Sequence, residues 1–144
     1  MSKYKKNPYH VNYYSKGGVA LLPIRILRSE AHINLSWPAK ALLIEISSQY
    51  NGFNNGDLCA TRSMLKDRGF NSSDTLFKAI KQLLNQNLIL LTRQGGRDWK
   101  TGGKLPSLYA ITWQPIDDCK DKFKNYKLDV ETTNKPAFNF NDTN

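Results

Sequence analysis

The spacing of apolar residues changes period once along this chain, and that change limits what it can fold into. Leu76, Ile80, Leu83 and Leu84, with Ala79 beside them, recur at the three- and four-residue spacing of one helix face. Past Asn87 the spacing shortens. Leu88 to Arg93 reads as a strand, and Tyr109, Ile111 and Trp113 alternate along one face of a second strand, Leu108 to Trp113. Between the strands, Gln94 to Lys104 reads as a loop containing two Gly-Gly pairs. A helix followed by two strands and a glycine-rich connection predicts an α+β fold.

Upstream, the sequence predicts short helices separated by turns. Val19 to Leu22 is a short apolar extended segment stopped by Pro23, and Ile24, Leu27 and Ala31 suit a short helix. Ser36 stands where an N-cap accepts from the free amides of a helix, and Pro38 falls in the first turn, where its missing N–H costs nothing. Ala39 to Gln49 follows as a helix with Leu42, Leu43 and Ile46 inward. Asn51-Gly52 ends it, and Asn54-Asn55-Gly56 forms the next turn. Asp57-Leu58 reads as a one-bridge strand. Thr61 then caps a helix from Arg62 to Arg68, with Met64 and Leu65 inward. Gly69 terminates it, Phe70 packs, and Asn71-Ser72 caps the helix Ser73 to Gln86.

The formal net charge of +9 is unevenly placed. Residues 1–18 carry Lys3, Lys5, Lys6 and Lys16 without an acid, and 88–116 carry Arg93, Arg97, Lys100 and Lys104 against Asp98 alone. The stretch 117–144 has five lysines and six acids. The remaining 19–87 supplies +3, so most of the excess sits on a terminal arm and a hairpin, the distribution of a phosphate-binding surface, whereas a basic arm by itself equally serves solubility. With 144 residues, 40% of them hydrophobic, there is room for one ordinary core. The expected organisation is a basic flexible arm at 1–18, a single domain at 19–115 and a flexible mixed-charge tail at 116–144. No apolar run approaches the length of a membrane span, and MSKYKKNPYH lacks the apolar stretch of a signal peptide, so a cytoplasmic protein without membrane partners is expected. Cys59 and Cys119, without a CxxC neighbour, are then expected as reduced thiols.

The order of helix, tight turn, helix and basic hairpin is that of a winged helix-turn-helix: a three-helix core plus a β-hairpin wing, here with flexible termini. Such a shape sets one helix and one hairpin against double-stranded DNA. The candidate DNA-binding residues are Asn71, Ser72, Ser73 and Thr75 at the start of the second helix, Lys78, Lys81 and Gln82 along its outer face, and Arg93, Arg97, Lys100 and Lys104 in the wing. Ser73 and Lys78 can reach base edges, and Lys81 suits a phosphate. Asp74 would repel a phosphate, but it favours a helix N-terminus and can accept from a cytosine amino group. Read structurally, the same face is only the solvated side of a core helix, and Phe77 is expected to pack partly into the core. Trp99 either stands out from the wing or packs back on the domain.

From Leu35 to Trp113, the run LSWPAKALLIEISSQYNGFNNGDLCATRSMLKDRGFNSSDTLFKAIKQLLNQNLILLTRQGG…LYAITW resembles winged-helix proteins of bacteria, phages and plasmids. It is most like the helix-turn-helix modules at the front of phage and plasmid replication proteins, and is more distantly similar to MarR-type regulators. The matching points are the Ser-led first helix, the Asn-Gly turn before Asp57-Leu58, the Gly69 turn and the progression into the wing. The resemblance implies that Asn71 to Lys81 begins a recognition helix and that Arg93 to Lys104 is a wing. It further implies a role in transcription or replication of a phage or mobile element. The long terminal helices by which MarR-type proteins dimerise have no counterpart in the sequence. A homodimer would nonetheless help specificity by engaging two half-sites.

Catalysis finds little support. His10 and His32 have no Cys, Asp or Glu partner at metal-ligand spacing, and no cofactor or metal is expected. Neither a GxSxG elbow nor a GxxxxGK phosphate loop occurs, and the glycine-rich segment joins two strands instead of leading into a helix. The alternative function is protein docking, with the exposed helix ridge or the 116–144 tail meeting a partner and the charge serving to steer it.

Overall fold

A computed structural model describes residues 18–138 and 140, so the arm expected at 1–18 lies, Gly18 apart, outside the described residues. The chain opens with two single-turn helices, α1 (Ile24–Leu27) and α2 (Glu30–Ile33), where one had been expected, followed by α3 (Trp37–Ser47). Ser29 divides the first two. Its Oγ accepts from His32 N and donates to Ile26 O. Ser36 caps α3 as expected, accepting from Ala39 N, with Pro38 in the first turn.

A two-residue strand, β1 (Leu58–Cys59), leads to α4 (Arg62–Leu65), which tightens into a 3₁₀ turn over Lys66–Arg68. Thr61 precedes α4 without a side-chain cap bond; its Oγ1 faces Ser63 Oγ instead. Only Leu65 of this short helix reaches the core. Met64, expected inward, is 43% exposed, because a single turn offers one core-facing position and Leu65 occupies it. Gly69 ends the turn at φ +101°, a left-handed conformation that a side chain would strain.

The long helix α5 (Ser73–Asn85) begins at Ser72, whose Oγ accepts from Thr75 N, and buries Leu76, Ala79 and Leu83. It closes with the paired bonds of a Schellman motif, Asn87 N to Leu84 O (3.1 Å) and Leu88 N to Leu83 O (3.0 Å). Asn87 takes the left-handed conformation there at φ +57°, which Asn tolerates better than most residues. The change of period in the sequence falls on this cap.

Four strands follow: β2 (Ile89–Arg93), β3 (Gly96–Arg97), β4 (Lys104–Leu105) and β5 (Leu108–Ile111). Antiparallel pairing gives a three-stranded sheet in the order β1-β5-β2, and β3 with β4 extends the β2–β5 hairpin outward. The fold among the described residues is thus α+β: five α-helices and small antiparallel sheets. Helices α3, α4 and α5 cover one sheet face, where Leu42, Leu43, Ile46, Leu65, Leu83, Tyr109, Ile111 and Trp113 form the main core.

The expected flexible tail requires correction for residues 116–138, which pack against the domain. Ile116, Cys119 and Leu128 are buried against Leu108 and Ala110, on the sheet face away from the helices. Asp129 N donates to Thr92 O, Lys127 Nζ meets both Asp57 carboxylate oxygens at 2.8 Å, and Phe138 N donates to Thr112 O. Phe140 then returns to the main core. The cause lies in β5, whose four residues are all buried. A strand apolar on both faces needs cover on both.

Candidate nucleic-acid interface

The start of α5 is held by its neighbours. Arg62 of α4 donates through Nη2 to the Asn71 carbonyl at 2.7 Å, fixing the turn between the two helices. Arg68 pairs with Glu45 of α3 at 3.0 Å. Neither arginine stands out in the sequence: Arg62 follows a cap residue and Arg68 precedes the terminating glycine, and neither position gives a local sign of a long-range partner.

Beyond this anchored turn, α5 presents Ser73, Phe77 and Lys81 at four-residue intervals, with Asp74 and Lys78 alongside. Asn71, Ser72, Ser73, Lys78 and Lys81 are exposed and Thr75 is half-buried. Phe77, expected to pack partly inward, is 65% exposed, because Leu76 and Ala79 already fill the core-facing arc. Lys78 forms an i,i+4 pair with Asp74 at 3.0 Å, with both side chains mostly in solvent. Such a pair contributes at most about 1 kcal/mol and yields readily to a phosphate.

Two sequence candidates have structural partners instead. Gln82 is half-buried and clamps the α3 cap: its Oε1 accepts from Ser36 N at 2.9 Å and its Nε2 donates to Ser36 Oγ at 3.0 Å. Arg93 is half-buried at the end of β2, where Nη2 donates to Pro106 O at 3.0 Å across the hairpin. Both side chains are engaged inside the domain, so the exposed candidates reduce to the residues from Asn71 to Lys81 and the outer hairpin.

The hairpin has paired strands and a closed tip where the sequence suggests a loop. Gly95 sits at its bend, where an added Cβ would stand 2.7 Å from Ser107 N and 2.8 Å from Leu105 O. Both neighbours are backbone, so no side chain fits. Beyond the bend, Arg97 lies directly opposite Lys104. The tip is closed by Asp98 N to Gly103 O and Gly102 N to Asp98 O, both 2.7 Å. The Asp98 carboxylate accepts from Lys100 N and Thr101 Oγ1 at 3.0 Å each, which holds its pKa below the ordinary carboxylate value. Arg97, Lys100 and Lys104 are exposed, and Trp99 projects from the tip at 88% exposure with Lys100 Nζ 5.5 Å from its ring centre. Ion pairs among the described residues join Arg68–Glu45, Lys78–Asp74, Lys120–Asp118 and Lys127–Asp57, so no carboxylate takes a hairpin cation.

Other features lie elsewhere. A cleft of about 970 Å³ runs between residues 18–24 and the end of α3, with Tyr50, Phe53 and Trp113 on its walls. Cys59 and Cys119 are free thiols with pKa values pushed up chiefly by burial, Cys119 to about 11. No group of three His, Cys, Asp or Glu side chains among the described residues is placed to hold a metal ion, and no helix there is long and apolar enough to cross a membrane. No family model, curated protein or solved structure matches the chain.

Proposed function

We propose that this chain is a winged helix-turn-helix protein that binds double-stranded DNA. The exposed face of α5 enters the major groove, and the β3–β4 hairpin lies on the phosphate backbone as the wing. The strand order β1-β5-β2, with α4 and α5 between β1 and β2 in the chain, suits that fold. The observation that carries the reading is the hairpin register. Arg97 opposite Lys104 is a like-charge cross-strand pair, an arrangement that weakens a hairpin standing alone in water and becomes favourable against a polyanion. Lys100 adds a third cation at the tip. In this reading Ser73 and Lys78 approach base edges, Phe77 is placed for a thymine methyl, and Lys81 meets a phosphate. A role in transcription or replication of a phage or mobile element follows the sequence resemblance.

The test is fluorescence anisotropy of a labelled random-sequence duplex at several salt concentrations. About six phosphate contacts give a log–log slope near −5. Replacing Arg97, Lys100 and Lys104 together with Ala should reduce the magnitude of that slope by about 3 and weaken binding to every sequence alike. A triple variant that binds as the parent does would refute the wing assignment.

Protein docking has one observation of its own. Trp37, Ala41 and Ile44 form an exposed apolar stripe along the outer side of α3. If that stripe is the functional surface, Ile44→Asp abolishes capture of the partner protein, while DNA affinity is negligible at physiological salt in both forms.

A further inference from the structure

Trp99 has no role in the packing of the domain. It is 88% exposed at the end of a two-stranded hairpin, and its ring meets only the Lys100 ammonium among the contacts described. Trp37, the other strongly exposed tryptophan, carries Lys40 over its ring at 4.6 Å on a helix, whereas Trp113 is buried. Exposure of a single ring is common, and Phe53 and Phe123 are also exposed; what sets Trp99 apart is its place at the tip of a hairpin that carries three cations.

The tip is built to hold that ring outward. Asp98 organises the turn through four bonds: two from its carboxylate and two from its backbone. Gly102, at φ +71°, allows the chain to reverse within so few residues. With the backbone of the turn already fixed, stacking the indole costs only the freedom of its two side-chain torsions. Arg97, Lys100 and Lys104 lie beside it and supply positive charge on either side of the turn. Aromatic faces flanked by cations are how proteins hold single-stranded nucleic acid, because every base has a π-face and every nucleotide a phosphate.

An intact duplex offers no free base face along its length. Inserting a ring between stacked base pairs costs a few kcal/mol of unstacking, whereas a base already unpaired requires none. Resting on the DNA-binding reading above, we propose that the hairpin tip is a base-stacking site in which Trp99 caps an unpaired base next to duplex DNA. The protein's preferred ligand is therefore a junction between double- and single-stranded DNA, with the single strand at the wing.

The experiment compares the affinities of the full chain for a blunt duplex and for the same duplex carrying a short single-stranded extension with 2-aminopurine at its first unpaired position. Parent, Trp99→Ala and Trp99→Phe are each measured, with circular dichroism to verify folding. One stacked base corresponds to roughly a 5- to 150-fold preference for the extended probe. The parent should show that preference and should quench the 2-aminopurine. Trp99→Ala should lose both while binding the blunt duplex as the parent does, and Trp99→Phe should retain most of each. Equal parental affinity for the two probes, or a preference that survives in Trp99→Ala, overturns the proposal. If the parent binds the extension in a Trp99-dependent way but not the blunt duplex, stacking stands and the duplex reading falls. Binding to neither probe overturns both.

Discussion

Asn55 does more for this domain than any residue of the candidate interface. Fully buried, its Nδ2 shares two N–H groups among Ile111 O, Gln114 O and Pro115 O, while its Oδ1 accepts from Ile111 N at 2.8 Å. Its backbone N–H reaches the Asp117 carboxylate. The turn before β1 is thereby fastened to the end of β5 and to the segment beyond. Asn55→Ala leaves several buried backbone groups unpaired and should cost about 3 kcal/mol or more, read as a lowered urea midpoint. Cys119 makes a second prediction at this scale. Burial first, then Asp57 and Asp117, raise its thiol from an ordinary 9.0 to about 11. Between those values the folded chain keeps a proton that the unfolded chain has released, so this contribution to stability is complete below pH 9 and is lost as pH rises toward 11. Stability of the parent should therefore fall more steeply over that range than that of Cys119→Ala, by up to about 1.4 kcal/mol per pH unit. Parallel slopes in the two proteins would show that the thiol does not titrate as its burial requires.

Among the elements, the hairpin and α5 differ in how they are specified. Helix α5 is set by local chemistry: a serine cap, one apolar face and a left-handed Asn87 that closes the last turn. The hairpin depends on one close approach. Gly95→Ala pushes a methyl group into the backbone at Leu105 and Ser107, which cannot yield as a side chain would. The expected cost is about 1–3 kcal/mol from overpacking. On the DNA-binding reading proposed above, misplacement of Arg97 and Lys100 should accompany it, seen as weaker duplex binding even at temperatures where the variant remains folded. Gly96→Ala, where an added Cβ meets nothing within 4 Å, is the control and should leave affinity unchanged.

For the molecule as a whole, the segment beyond Pro115 decides the architecture. If it merely trailed from the domain, Leu128→Ala would leave stability untouched. Packed as it is on Leu108 and Ala110, with its methyl group close over Gly56, the same substitution should cost about 2–5 kcal/mol in denaturant unfolding. The sign is legible in Leu108-Tyr109-Ala110-Ile111, which is apolar at consecutive positions, whereas the alternation of Tyr109, Ile111 and Trp113 marks only one face. What the sequence by itself determined is local: the α+β class, the Ser36 and Ser72 caps, the stop at Gly69, the end of α5 at Asn87 and the placing of positive charge in the hairpin. Each depends on residues within a turn or two of one another, where backbone preference and side-chain spacing act directly. Tertiary structure alone decided which polar side chains were already engaged and which surfaces were covered. Gln82 meets Ser36 across 46 residues, and Asn55 meets Ile111 across 56. Arg93 is held by Pro106 across the hairpin. Such partners are chosen by how the chain returns on itself, and a polar residue carries the same local signal whether its partner is water, DNA or a distant backbone amide.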